Sequence, residues 1–257
     1  MRFEVLGPVR VTHGEDVAPV SGAVRLGLLG LLLANANAPV PAETLLDALW
    51  DTADPPDPQR LHLTVHRLRR ALGEPERLVL DAGGYVLQVA PDELDAQLFV
   101  DALEQAERTA DPCRRASLLR QALRLWRGEA YQGLDLCSLA GDAERLTERR
   151  DSACEQLCAA ELDRGRHETA VADLAALVRR HPLREHPHAL LMTALCRSGR
   201  QADALAVYRD VRRTLVDELG VEPGPELRDL ERRILAGGDD LVLLAGGPGS
   251  RTVSRVP

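Results

Sequence analysis

QRLHLTVHRLRRALG, residues 59–73, carries four arginines (Arg60, Arg67, Arg69, Arg70), two histidines and no acid, in a 257-residue chain of net charge −8. At 100° per residue Leu61, Val65, Leu68 and Leu72 share one helical face. The opposite face is centred on Gln59, Leu63, His66, Arg67 and Arg70. Pro58 suits the first turn of such a helix, and Gly73 stops it. Two short apolar runs follow at 78–80 and 85–89, around Ala82-Gly83-Gly84, and read as paired strands. The local order is therefore a basic amphipathic helix and then a hairpin.

Working outward toward the N-terminus, residues 3–5, 9–12 and 17–20 are short apolar pieces broken by Gly7-Pro8 and by 13–16, which predicts a small antiparallel sheet. Val24 to Ala36 is apolar on nearly every side, as a buried helix must be. Pro41 opens the next helix, with Leu45, Leu46, Leu49 and Trp50 on its apolar face. Residues 54–58 form the loop before the basic helix. Sheet, three helices and hairpin make a winged helix-turn-helix, in which the third helix is the one that enters the DNA major groove.

Toward the C-terminus the junction falls at 92–95. From Ala96 the chain reads as helical, with breaks at Asp111-Pro112, Arg127-Gly128, 133–141, Gly165, Pro182, Gly199 and 220–224. Gly165-Arg166-x3-Ala170-x3-Leu174 recurs as Gly199-Arg200-x3-Ala204-x3-Tyr208, an offset of 34 residues. That period is the tetratricopeptide helix pair's. The expected fold is mainly α: an N-terminal winged helix-turn-helix (α+β) over 1–95, an all-α tetratricopeptide-like domain over 96–238, and a disordered tail over 239–257.

Composition narrows the chemistry. Apolar content of 45% with only 3% aromatics means a core of Leu, Val and Ala. Lysine is absent, so a P-loop lysine, a Schiff base and a lysine general base are all excluded. The five cysteines are odd in number and form no CxxC pair, which suits a reducing compartment; Cys154 and Cys158 read as apolar thiols. No apolar run reaches the ~18 residues of a membrane span, and a cytoplasmic protein is expected. His181, His186 and His188 gather with Glu185, but the prolines around them imply a turn rather than a ligand face. No metal, cofactor or catalytic site is expected.

Residues 1–95 hold eight arginines and fourteen acids, so even the winged part is acidic overall. DNA responds to local potential, however, and 58–73 is positive throughout. Such a layout predicts modest affinity with a steep salt dependence.

With both halves placed, the chain resembles the antibiotic regulatory proteins of actinomycetes, which join a response-regulator-type winged helix to a bacterial transcriptional activation domain. The resemblance rests on RFEVLGPVRV, LLANANAPV, LLDALW, HRLRRALG, LWRGEAYQGL, the long stretch from HPLREHPH to VEPGPEL, and RDLERRIL. It implies an activator of secondary-metabolite gene clusters that binds direct repeats in promoter DNA as a homodimer and contacts RNA polymerase. Carried onto this chain, it makes Gln59, His62, Leu63 and His66 groove-facing, and Arg60, Thr64, Arg67 and Arg70 phosphate contacts, with Arg25 as a further phosphate contact near the start of the first helix. Three positions depart from the family's pattern. Ala23-Val24-Arg25 stands where Lys-Gln-Arg is usual, Pro58 where an arginine is common, and Asp81-Ala82 where the wing usually carries Thr or Arg. The alternatives are a protein-interaction scaffold or a ligand sensor whose winged helix has weak or lost DNA binding.

Overall fold

The computed structural model describes residues 1–14, 16–50 and 57–237, so the expected tail and most of the loop at 54–58 lie outside the described residues. The chain forms two compact units, divided between Leu157 and Cys158.

In the first unit, strands β1 (Arg2–Glu4), β2 (Arg10–His13) and β3 (Asp16–Val17) pair antiparallel in that order, with Phe3 opposite Val11. Phe3, Val5 and Val11 are buried, as the alternation of a one-sided sheet requires. Helix α1 (Ala23–Ala34) sinks Leu28, Leu29 and Leu31 to Leu33 into the core. After α2 (Ala42–Leu49) comes α3 (Pro58–Leu72), the basic helix. Its N-terminus is capped by Asp57, whose Oδ1 accepts the Gln59 N–H at 2.9 Å, and Gly73 ends it at φ 76°. Leu61, Val65, Leu68 and Leu72 are almost completely buried, each worth about 2 kcal/mol of transfer from water.

Strands β4 (Leu78–Asp81) and β5 (Gly84–Leu87) form the hairpin. Val40 adds a third partner, exchanging both backbone hydrogen bonds with Tyr85 at 2.9 Å. Gly84 lies so close that a Cβ there would sit 2.1 Å from the Val40 carbonyl oxygen. Arg77, in the turn before β4, pairs with Glu74 and makes two hydrogen bonds to Glu93 at 2.5 and 2.9 Å. Burial pushes the Glu93 carboxyl up, but Arg77 and the Ala90 N–H outweigh it and hold the group below its usual range.

From sequence alone the division falls at 95/96, whereas packing carries the first unit on through α4 (Asp95–Arg108), α5 (Pro112–Leu123) and much of α6 (Cys137–Asp163). The reason is a set of non-local bonds. Asp95 accepts the Val5 N–H at 2.8 Å and the Leu6 N–H at 3.1 Å, and pairs with Arg127 at 2.9 Å. The segment after α5 runs beside the sheet: Arg127, Tyr131 and Gln132 donate N–H bonds to Leu6, Val5 and Gly7. Burial raises the Asp95 carboxyl above its usual range, against the pull of these donors. Trp126 sits here as an inter-helix wedge, edge-on to Phe99 with ring centroids 5.5 Å apart.

The second unit holds α7 (His167–Arg180), α8 (Glu185–Arg197), α9 (Gln201–Leu219) and α10 (Pro225–Leu235). The 34-residue repeat is structural: Ala170 and Ala204 are buried at matching places, as are Leu174 and Tyr208. α6 already begins at Cys137, so Gly141 lies inside a helix rather than in the expected break. Around Pro182, His188 is buried with Nδ1 against the Arg184 carbonyl, and Glu185 accepts the Gly224 N–H at 2.7 Å. These groups hold the helix ends.

Replacing Asp95 with Ala strands two buried N–H groups and the Arg127 charge, and should cost about 3 kcal/mol, read as a lower urea midpoint at unchanged slope. Because the Glu93 carboxyl is held low in the fold, its contribution is present above the ordinary carboxylate range and is lost as pH falls through the lowered value. Glu93→Gln should therefore lower stability at neutral pH and flatten its decline below about pH 4.

Candidate nucleic-acid interface

The heptad-like spacing that buries four apolar side chains of α3 leaves the other side of the helix to solvent. Gln59, Arg60, His62, Leu63, His66, Arg67 and Arg70 are all exposed there, and Thr64 is half-buried at the margin. Leu63 is 49% exposed. The Thr64 hydroxyl donates to the Arg60 carbonyl at 2.8 Å, which commits its proton within the helix.

Arg69 goes elsewhere. It is half-buried, and its Nε donates to the Leu78 carbonyl at 2.7 Å, tying the helix to the hairpin. Arg10 pairs with Glu4, and Arg77 with Glu74 and Glu93. By contrast, Arg25, Arg60, Arg67 and Arg70 have no carboxylate partner among the described residues. Four guanidinium groups without a carboxylate partner among the described residues favour a positive potential at this face.

Three of them line one groove. A hollow of about 330 Å³ lies between the start of α1 and the outer face of α3, walled by Arg25, Trp50, Arg60, Leu63, Thr64 and Arg67. No acid lines it. Arg25 is steadied by a hydrogen bond from Nη2 to the Ser21 Oγ at 3.3 Å. The start of α1 has no side-chain cap, and residues 22–24 form part of the wall, so first-turn N–H groups are available at the same place. Arginine forks beside an uncapped helix start suit a phosphate group. Trp50, expected on the apolar face of the second helix, is also part of this wall, with the Arg60 guanidinium over its ring at 5.4 Å. The only cue in the sequence was its position, just before the loop that leads into α3.

The hairpin tip has the opposite character. Asp81 is exposed, with its Oδ1 accepting the Ala82 N–H at 2.7 Å, and Leu80 is 62% exposed. No cation stands at 78–84. A second hollow in this unit, about 440 Å³, is lined by Leu103, Glu104, Glu107, Arg108, Arg149 and Ser152 among others. Its interleaved charges give it no field of one sign. Among the described residues no helix is long and apolar enough to cross a membrane.

Comparison with known proteins yields two family matches. Residues 23–87 match the family described as transcriptional regulatory protein, C terminal, and residues 94–235 match the bacterial transcriptional activator domain. Among curated proteins, the regulatory protein DnrI of Streptomyces peucetius is 36% identical over 91% of this chain and 92% of its own length. The transcriptional regulator RedD of Streptomyces coelicolor is 39% identical over 92% of this chain and 71% of its own. The regulatory protein AfsR of Streptomyces griseus is 39% identical over 96% of this chain, which spans only 26% of AfsR. A solved structure of Mycobacterium tuberculosis EmbR, in complex with a low affinity phosphopeptide, superposes with a TM-score of 0.85 at 33% identity. It covers 92% of this chain and 65% of EmbR.

The different employment of Arg69 and Arg70 is measurable in the protein alone. Arg69→Met should lower stability by about 1–2 kcal/mol in urea unfolding, because a charged donor to a half-buried carbonyl is lost. Arg70→Met should stay within about 0.5 kcal/mol of the parent.

Proposed function

Because the chain belongs to the actinomycete antibiotic regulatory protein family, and is thus a transcriptional regulator, we propose that it binds promoter DNA with α3 in the major groove. The observation that carries this reading is the convergence of Arg25, Arg60, Arg67 and Arg70, without acid partners among the described residues, on one face. In this reading Gln59, His62, Leu63 and His66 meet base edges, where the Leu63 side chain suits a thymine methyl. Arg25, Arg60, Arg67 and Arg70 meet phosphates on either side. Thr64 is the weakest of the phosphate contacts, because its hydroxyl proton must first leave the Arg60 carbonyl.

The acidic hairpin tip adds nothing to affinity, since Asp81 repels phosphate. A single protomer is then a weak binder, and occupancy comes from two protomers side by side on a direct repeat, forming a homodimer on DNA. We assign DNA recognition to 1–95 and contacts with the partner protomer and with RNA polymerase to 96–238. The regulated genes are a secondary-metabolite cluster, activated in the cytoplasm. Relatives that are themselves named as regulators favour this over a scaffold or a ligand sensor.

Sheared genomic DNA from the host is incubated with the protein, and the bound fragments are sequenced beside an Arg67→Ala/Arg70→Ala control. A few promoter fragments that share a short direct repeat and vanish in the control are expected. Equal recovery by both proteins at low salt would refute the reading. On a recovered fragment, each arginine removed from the face should reduce the slope of log affinity against log salt by about 0.9.

A further inference from the structure

The groove beside α3 gives Trp50 a task, one that rests on the DNA-binding reading. We propose that Trp50 is a positioning residue: its indole face holds the Arg60 guanidinium in place, so that Arg60, Arg25 and Arg67 close together on one backbone phosphate.

Trp50 is itself well anchored. It ends α2 in an extended conformation, and its N–H donates to the Leu46 carbonyl at 3.0 Å. Its half-buried ring packs against the core of the first unit. Arg60 is the reverse, an exposed, long side chain in the first turn of α3 with no carboxylate among the described residues to order it. Two further guanidinium groups line the same groove, and their repulsion drives Arg60 outward into solvent. The indole opposes that drift. A cation over an aromatic face is attracted by the ring quadrupole while its N–H groups stay free for an anion. An arginine already held loses less rotamer freedom on binding, so more of its contact with phosphate appears as affinity.

A purely structural role would place Trp50 in the core and make its effect on DNA independent of Arg60. The two readings separate in a double-mutant cycle on the whole chain. The probe is a fluorescein-labelled promoter duplex recovered in the genomic selection, titrated at fixed salt, with Trp50→Leu, Trp50→Phe, Arg60→Gln and the Trp50→Leu/Arg60→Gln pair. Trp50→Leu is expected to weaken binding about two- to five-fold in the parent and to have no effect once Arg60 is Gln. Trp50→Phe, which keeps an aromatic face, should recover most of the loss. An equal loss in both backgrounds would overturn the proposal, as would a Phe variant as weak as the Leu variant, because the indole N–H or the packing would then be what matters. If Trp50→Leu fails to fold, Trp50→Phe carries the cycle, with a smaller loss that must likewise vanish beside Arg60→Gln. Binding that is the same for the parent and the Arg67→Ala/Arg70→Ala protein refutes the DNA reading itself. Sensitivity to that pair with no Trp50–Arg60 coupling refutes only the role of Trp50.

Discussion

The buried Asp95 carboxylate, gripped by the Val5 and Leu6 N–H groups and by Arg127, is the interaction through which the first unit keeps its register. It joins the end of β1 to the start of α4 and to the segment after α5, three stretches far apart in sequence. With β1 fixed, β2 and β3 follow, and the apolar side of that sheet shares one core with α1. α1 in turn supports α3, whose inner face is part of the same core. The position of the basic helix therefore depends on helices that lie beyond the winged motif itself. A desolvated acid is costly to bury, and this one is tolerated because three donors converge on it.

A protein of net charge −8 keeps a cationic face by spending its arginines unevenly. Arg10, Arg77 and Arg127 are consumed in ion pairs that hold the fold. Arg69 satisfies a backbone carbonyl. What remains on α3 and at the head of α1 has no carboxylate partner among the described residues, and the Asp57 that opens α3 is engaged in capping it. The acids elsewhere weaken attraction to DNA at long range, while the short-range field at the groove stays positive.

Much of this was legible in the sequence, where the signal was local. The expected helix at 59–73 appears as Pro58–Leu72, with Gly73 left-handed behind it, because a 3.6-residue period, a capping Asp-Pro and a glycine stop act over one or two turns. The hairpin and the 34-residue repeat were readable for the same reason. Helix geometry alone left Gln59, Leu63, His66, Arg67 and Arg70 outside, since Leu61, Val65, Leu68 and Leu72 are buried, whereas Arg25, Arg60, His62 and Thr64 entered the candidate site through the family resemblance. What was missed is non-local. Nothing periodic announces that Val40 will pair with Tyr85, or that Tyr131 will donate to Val5. The helical period already set Arg69 beside the apolar stripe, but that its guanidinium would bond the Leu78 carbonyl depended on the placement of β4. Trp50 looked like core because an aromatic at the end of an apolar helix face usually is.

The hairpin separates what is fixed from what is free. Gly84 is pressed against the Val40 carbonyl, so a side chain there is excluded, and Tyr85 is held in the backbone pairing. Leu80 and Asp81 pair with Tyr85 and Gly84 through their backbones, but their side chains and that of Ala82 are exposed. Substitutions at these three positions change the charge and shape of the tip without touching the core. Over generations the exposed tip can therefore exchange one surface chemistry for another in single steps while the scaffold that holds α3 stays as it is.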